Sequence, residues 1–291
     1  MTDLFMIEKL APITQYQDLG RFGHLSHGFS HSGPMDNIAF AINNRILGND
    51  PNATQIEIAM GGLQLRALAD CTIAISGGYL AAKLNAQPLV NFCSAYVKKG
   101  DLLTFNFLDP KLHAGQYAYL ALAGGFNVTP FLGSTSTTQR LNIFPGGELK
   151  IGDCLAGFPQ LKPELQGELR RNLPYYANDI IEVVPAYQYS LFSDKEKQAF
   201  ISQPFRVTAT NRMGTKLSAQ QPIHYAGGEL LSEGIIPGAI QIPPDGHPIV
   251  LQKDAQSIGG YPKIGIISEP FRSLLAQVSV GREVWFKFIE K

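Results

Sequence analysis

The chain has 291 residues, of which 45% are apolar, and its 24 basic and 24 acidic side chains give a formal net charge of zero. A disordered chain would need few apolar residues and a large net charge, so this composition predicts a folded protein, with two domains at roughly 150 residues each. Zero net charge also removes the long-range field that would attract nucleic acid or an anionic membrane.

The first half of the chain has the pattern of a β protein with one clear helix. The helix is predicted at 34–47, where apolar residues recur at helical spacing and either Ser32 or Gly33 serves as the cap. Short segments rich in β-branched and aromatic residues, bounded by Gly, Pro, Asn or Asp, then predict strands. These strands are 55–60, 72–76, 102–107 and 117–123.

A polar stretch at 159–174 predicts the connection between the domains. We therefore predict domains at 1–165 and 166–291. Beyond it, strands are predicted at 180–184, 205–209, 249–252, 264–267 and 283–289. A short helix is predicted after Ser193, where Ser193 and Glu196 have the spacing of a capping box, and another at about 270–277. The pattern as a whole is mainly β with a few short helices.

Targeting and metal signals are weak. No stretch approaches the ~20 apolar residues of a membrane span, and the N-terminus does not resemble a signal peptide, so we expect a cytoplasmic protein that binds neither nucleic acid nor membrane. The three cysteines are widely spaced and predict neither disulfides nor a zinc site. His24, His27 and His31 have metal-like spacing in a Gly-rich loop, but we predict no metal site there.

Several polar groups lie in Gly-rich segments far apart in the sequence. They include a Ser-Thr cluster after Gly133, two arginines in turns, and a carboxylate followed by a Gly-Gly pair. Guanidinium forks and backbone N–H groups match carboxylates and phosphates, so these segments predict a site for a small anionic substrate. Taken singly, an Arg in a turn is also typical of a surface ion pair, and a Ser-Thr cluster of a turn. No P-loop and no G-x-S-x-G elbow is present.

At these segments the sequence resembles the biotin-dependent carboxyltransferase-like family. That family includes the C subunit of prokaryotic 5-oxoprolinase, the KipA proteins and the carboxyltransferase region of urea carboxylase. The matching segments are TQYQDLGRFG, SHSGPMDNIAFAINNRILGND, LGSTST, NRMGTKL, LSEGIIPGAIQIPPDGHPIVL and DAQSIGGYPKIG. They occur in order along nearly the whole chain.

The resemblance implies two cyclophilin-like β-barrel domains and the role of the C subunit in an ATP-dependent 5-oxoprolinase. It would act with a KipI-like B subunit, together with a third component, the A subunit, to open 5-oxoproline to L-glutamate. ATP, with Mg, would be shared with a partner subunit. No Met-Lys-Met motif occurs, so no covalently bound biotin is expected. The alternatives are a biotin-dependent carboxyltransferase acting on urea or a similar amide, and a non-catalytic KipA-type antagonist of a KipI-like kinase inhibitor.

Carried over position by position, the resemblance implies two groups of site residues, which we expect to meet around one anionic substrate. The catalytic group is Asp254, Arg212 and Tyr261. The substrate-binding group is Arg21, Ser134, Ser136, Thr137, Arg140, Asn211, Gly259 and Gly260. One departure is Thr135, which stands where many relatives have Arg, so that a guanidinium often present in this loop is missing.

Overall fold

A computed structural model describes residues 1–109, 115–162, 179–227 and 230–289. The chain forms two compact units, Met1–Arg21 with Ser32–Leu173, and Phe22–His31 with Pro174–Lys291. The boundary predicted between residues 165 and 166 lies outside the described residues. A single boundary also does not anticipate Phe22–His31, a segment from the first fifth of the sequence that packs with the second unit.

The first unit consists of two antiparallel sheets with an apolar core. Its strands are β1 (Thr2–Lys9), β2 (Ile13–Gln17), β3 (Gln55–Ala59), β4 (Gln64–Ala67), β5 (Cys71–Gly77), β6 (Lys83–Leu84), β7 (Gln87–Pro88), β8 (Cys93–Val97), β9 (Leu102–Thr104), β10 (Tyr117–Leu122) and β11 (Cys154–Gly157). The strand orders are β11-β1-β4-β9-β6-β7 and β2-β3-β10-β5-β8. Apolar side chains of both sheets, such as Phe5, Leu65, Ile56 and Leu120, form one core.

Helix α1 (Asn37–Leu47) packs on β5 and β10 of the second sheet. Its cap is Asp36, whose Oδ1 accepts hydrogen bonds from Ile38 N and Ala39 N. The predicted cap at Ser32 or Gly33 was therefore wrong. The reason is tertiary: Ser32 and Gly33 have positive φ angles, and Met35 N and Asp36 N donate to the Glu57 carboxylate and the Tyr119 hydroxyl, so the helical backbone begins only after Asp36.

The second unit contains a closed barrel. Its strands are β12 (Ile180–Pro185), β13 (Phe205–Thr210), β14 (Gly214–Ala219), β15 (Glu233–Gly234), β16 (Ala239–Gln241), β17 (Ile249–Leu251), β18 (Ile258–Gly259), β19 (Lys263–Ile267) and β20 (Glu283–Phe288). The barrel order is β12-β19-β16-β17-β14-β13-β20, and β15 pairs with β18 in a separate ribbon. Helices α2 (Asp194–Ile201) and α3 (Phe271–Gln277) flank it.

The barrel core is apolar and aromatic, with Val207, Ile240 and Phe286 among its buried residues. Helix α2 contributes Phe200, whose ring stacks on Phe286 at a centroid distance of 4.8 Å. The Ser193 hydroxyl caps α2 by accepting from Glu196 N, as predicted. The other half of the predicted capping box is not used, because the Glu196 carboxylate instead accepts from His224 N.

The mainly β class predicted from the sequence is confirmed. Each of the nine predicted strands overlaps an observed one, and the three predicted helices are present. The sequence analysis missed strands such as β1, β4 and β14, in which the apolar residues are few or lie directly beside charged ones. In the described part of the chain, no helix has the length and apolar character needed to cross a membrane.

Candidate functional site

The Ser-Thr cluster of the first unit surrounds a buried carboxylate. Asp18 follows β2 directly and is 3% exposed. Its Oδ1 accepts from Ser134 Oγ at 2.6 Å and from Ser136 Oγ at 2.7 Å, and its Oδ2 accepts from Thr135 N at 2.7 Å. Neutral donors thus stabilise the carboxylate in place of water. Their hydroxyl hydrogens point to Asp18, which makes this loop a preorganised support.

Arg21 is fully buried next to the same loop. Its Nε donates to Phe131 O at 3.1 Å and its Nη2 to Ser136 O at 2.9 Å. The guanidinium also lies 5.5 Å from the centroid of the Phe131 ring, within the range of a cation–π contact. Arg21 therefore holds the loop through its backbone carbonyls and an aromatic face.

The remaining predicted residues of the first unit lie at the edge of this network. The Thr137 carbonyl accepts from Gln17 Nε2 and Ser32 Oγ. Arg140 is exposed on a short 3-10 helix, Gln139–Leu141. Thr135, at the position that departs from many relatives, places its hydroxyl 2.8 Å from that of Thr54. The structure thus brings together four of the predicted residues around Asp18: Arg21, Ser134, Ser136 and Thr137. Binding of substrate by these residues stays a prediction.

In the second unit the structure pairs Arg212 with Asp254. Arg212 Nε lies 2.8 Å from Asp254 Oδ2, and Nη2 lies 3.0 Å from Oδ1. Both side chains are almost completely buried, with exposed fractions of 6% and 3%. Asp254 N also donates to Arg212 O. This planar, two-bond geometry is the strongest form of an Arg–carboxylate contact, and it joins the turn after β13 to the segment after β17.

Asn211 organises the turn that carries Arg212. Its side-chain Oδ1 accepts from Met213 N at 2.8 Å and from Gly214 N at 3.1 Å. An Asn side chain that bonds the backbone two residues on forms an Asx turn. The contacts of Asn211 therefore fix the backbone conformation of the turn after β13, which carries Arg212.

A cleft of about 470 Å³ opens in the second unit, a size typical of small-molecule sites. It is lined by His224, Tyr225, Gly227, Leu230, Ile242, Pro243, Pro244, Gly260, Tyr261 and Pro262. Two predicted site residues, Gly260 and Tyr261, are among them. None of these described lining residues is Lys, Arg, Asp or Glu, so the described wall combines tyrosine and proline faces with the His224 side chain and backbone polar groups.

A polar network that the sequence analysis missed lies next to this cleft. Lys263 Nζ is ion-paired with Glu233, and it also donates to Tyr261 O at 3.4 Å. The Glu233 carboxylate accepts from the Tyr187 hydroxyl and from Gln188 Nε2. The hydrogen bond from Lys263, followed by that from Tyr187, lowers the pKa of Glu233. These contacts anchor the β15–β18 ribbon to the barrel.

Gly259 lies on this ribbon directly against a barrel side chain. A Cβ at residue 259 would be 2.9 Å from Gln241 Nε2, so a larger residue there would require the end of the Gln241 side chain to move. The sequence did contain a signal for Glu233, because this residue is a carboxylate inside the matched segment LSEGIIPGAIQIPPDG. Lys263 had a similar signal, because it follows the Gly-Gly-Tyr-Pro turn directly.

The histidine segment shows no metal geometry. Among the described residues, no group of three or more His, Cys, Asp and Glu side chains has an arrangement suited to a metal ion. The rings of His24 and His27 are 6.3 Å apart, and His31 contacts the Phe22 ring at 5.0 Å. Burial, and then the positive charge of Lys253, lower the pKa of His31.

Comparison with known proteins connects this architecture to a family. The family model for the carboxyltransferase domain, subdomain A and B, matches residues 27–288. The C subunit of 5-oxoprolinase from Escherichia coli strain K12 is 34% identical over 276 residues, which cover 94% of this chain and 87% of that protein. Urea amidolyase of Lachancea kluyveri is 30% identical over 97% of this chain, but that match covers only 17% of the longer protein.

A solved structure agrees with these matches. The crystal structure of TTHA0988 in space group P212121 superposes with a TM-score of 0.86 at 33% identity, covering 98% of this chain and 55% of that chain. Residues 27–288, which the family model matches, include Ser134 and Ser136 of the first unit and the Arg212–Asp254 pair of the second, but neither Asp18 nor Arg21. The chain therefore belongs to the carboxyltransferase domain family, subdomain A and B.

Proposed function

We propose that this chain is the C subunit of an ATP-dependent 5-oxoprolinase that opens 5-oxoproline to L-glutamate. The observation that carries the proposal is the match to the C subunit of 5-oxoprolinase from Escherichia coli, which extends over 94% of this chain and 87% of that protein. By the same resemblance, it would act with a KipI-like B subunit and with a third component, the A subunit. Because ATP is a substrate, we propose a cytoplasmic complex.

The chemistry requires activation of a stabilised amide. In the proposed reaction the lactam oxygen attacks the terminal phosphorus of ATP and ADP leaves. Water then adds to the activated carbon and the ring C–N bond breaks, with the nitrogen leaving as the protonated amine, which gives an acyl phosphate of glutamate. A second water attacks this acyl phosphate and releases phosphate, which leaves glutamate. Such a reaction depends mainly on positioning and charge stabilisation. The cleft of the second unit is a suitable place for the ring, because its wall is formed by Tyr225, Tyr261 and prolines.

The triphosphate needs more positive charge than the described part of the cleft wall supplies. Its described lining residues contain no Lys, Arg, Asp or Glu, and His224 is the one basic side chain among them. This composition supports a shared site in which the partner subunit provides most of the contacts to ATP and Mg. Within this chain we propose that Tyr261 contacts the substrate, and that Arg212 and Asp254 position the segment leading to Gly259 and Gly260.

Reconstitution tests the proposal. The purified chain is mixed with the B and A subunits, ATP and 5-oxoproline, and glutamate is measured. We expect glutamate only when all three proteins and ATP are present. Turnover that is undiminished when this chain is omitted would refute its role as part of the enzyme.

A pair of variants tests the cleft. Tyr261→Ala removes a half-exposed side chain from the cleft wall and should abolish most turnover without changing the melting temperature. Ile258→Ala is the matched control, because Ile258 is exposed on the neighbouring ribbon but does not line the cleft. Equal turnover in the two variants would exclude the cleft as the substrate site. Co-purification with the B subunit verifies that assembly is intact in both.

A second candidate function is carboxyl transfer to urea or a similar amide. The match to urea amidolyase over 97% of this chain favours it. It requires a carboxybiotin carrier on another protein, so carboxylation that depends on a biotinylated carrier would support it. Binding of a KipI-like protein without any turnover, in either assay, would instead indicate the KipA-type antagonist.

A further inference from the structure

His224 is an exposed histidine in the wall of the second-unit cleft. Its backbone N donates to Glu196 Oε2 at 2.8 Å, whereas neither ring nitrogen has a hydrogen-bond partner among the described residues. His247 differs, because its ring accepts a hydrogen bond from Ala219 N at 3.3 Å and so contributes to the barrel. The imidazole of His224 has no such structural contact, which leaves both of its nitrogens open to a ligand in the cleft.

The backbone around His224 is fixed from two sides. Glu196, in the first turn of α2, accepts from His224 N. Ile223 is fully buried, and its N donates to Gly246 O at 2.9 Å. Tyr225, the next residue, packs against the barrel core. The segment that carries the imidazole is therefore preorganised, which lowers the entropic cost of binding a ligand there.

The charges of the described cleft wall favour an anionic ligand. His224 is the one basic side chain among the described lining residues, and none of them is Asp or Glu. A carboxylate in the cleft would thus meet a donor that can carry positive charge, without repulsion from a carboxylate of the wall. Tyr225, Tyr261 and the prolines offer apolar faces to the rest of the ligand. This combination suits a small ring with one negative charge.

We propose that His224 binds the carboxylate of the substrate and makes the cleft specific for a small cyclic carboxylate. The inference rests on the proposed function, since 5-oxoproline is a five-membered ring that carries one carboxylate. This carboxylate is not among the reacting atoms, so its contact with His224 is equally strong in the bound substrate and in the transition state. Such a contact lowers KM and leaves kcat unchanged.

Steady-state kinetics of the reconstituted complex test this assignment. His224→Gln keeps a polar side chain but loses the positive charge, so KM for 5-oxoproline should rise about tenfold with little change in kcat. His224→Arg keeps a charged donor and should have a KM closer to that of the unsubstituted complex. His27→Gln is the control, because His27 is exposed but is not a described lining residue. An unchanged KM in His224→Gln, or a fall in kcat alone, would refute the proposal.

Binding measured by calorimetry separates this inference from the proposed reaction. The probes are 5-oxoproline and pyrrolidone, the same ring without the carboxylate, and the full chain is used with and without its proposed partners. His224→Gln should weaken binding of 5-oxoproline about tenfold and leave binding of pyrrolidone unchanged.

The outcomes are distinct. If this binding pattern is found but no glutamate forms, the proposed reaction is wrong and the carboxylate site stands. If glutamate forms but His224→Gln binds 5-oxoproline as tightly as the unsubstituted chain does, the carboxylate site is wrong. Failure of 5-oxoproline to bind in any of these samples would overturn both.

Discussion

The two units hold their buried carboxylates in different ways. In the first unit, Asp18 accepts from two serine hydroxyls and backbone N–H groups, and Glu57 accepts from the Tyr119 hydroxyl, Met35 N and Gln15 Nε2. In the second unit, Asp254 is paired with the guanidinium of Arg212. A buried carboxylate is thus stabilised by neutral donors in the first unit and by opposite charge in the second.

This difference has energetic consequences. A carboxylate with several neutral donors loses only one bond when a single donor is removed. A buried ion pair that loses its cation leaves an uncompensated charge in a medium of low dielectric constant, which is far more costly. We therefore expect the second unit to be more sensitive to single substitutions at its carboxylate partners than the first.

The largest effect is expected for Arg212→Met, which leaves Asp254 buried without its guanidinium. The free energy of unfolding should fall by about 3–5 kcal/mol, measured by urea denaturation. The matched control is Arg206→Met, because Arg206 pairs with Glu283 on the surface, where both side chains are largely exposed, and a cost below about 1 kcal/mol is expected. A similar cost for both variants would contradict the comparison.

A smaller loss is expected for Ser136→Ala, which removes one of the hydroxyls that donate to Asp18. Because the hydrogen bond from Ser134 remains, the unfolding free energy should fall by about 1.5–3 kcal/mol. Ser26→Ala, at an exposed hydroxyl of the histidine segment, serves as the control and should be nearly neutral. If Ser136→Ala cost more than Arg212→Met, neutral donors would be the stronger support, and the proposed contrast would be wrong.

Tyr119→Phe extends the comparison to Glu57. The Tyr119 hydroxyl donates to Glu57 Oε2 and accepts from Asp36 N, both at 2.8 Å. Burial and the nearby Glu57 raise the pKa of Tyr119 well above its usual value, so the phenol stays a donor. We expect a loss of about 1–2 kcal/mol. Tyr96→Phe is the control, since Tyr96 donates to Asp70 at an exposed position; an equal loss would show that burial contributes nothing.

The smallest effect concerns the segment Phe22–His31. Because burial and Lys253 lower the pKa of His31 in the folded protein, the unfolded chain binds its proton more readily. Stability should therefore fall as the pH drops below about 6.5, the unfolded-state value. His31→Asn should flatten the profile between about pH 7 and pH 5, as measured by thermal unfolding. An unchanged slope in the variant would assign the acid sensitivity to other groups.

Parts of the site could be predicted from the sequence and parts could not. The motif LGSTST and the turn around Arg21 were identified because Gly, Ser and Thr mark turns, yet the sequence did not show that the serines donate to Asp18. The buried role of Glu57 had a local signal, since it stands between Ile56 and Ile58 in a strand predicted from the sequence. Gln188 had none, because its contact with Glu233 joins residues that are 45 positions apart.

The order of residues along the chain was enough to determine the mainly β class, helix α1 and the family, since each depends on local periodicity or on motifs read in order. Tertiary structure alone decided that Ser136 reaches Asp18 across 118 residues and that Arg212 reaches Asp254 across 42. Local propensity acts over a few residues, whereas these partners meet only after strand pairing has brought distant turns together. For that reason the sequence identifies the polar groups, and the fold determines their partners.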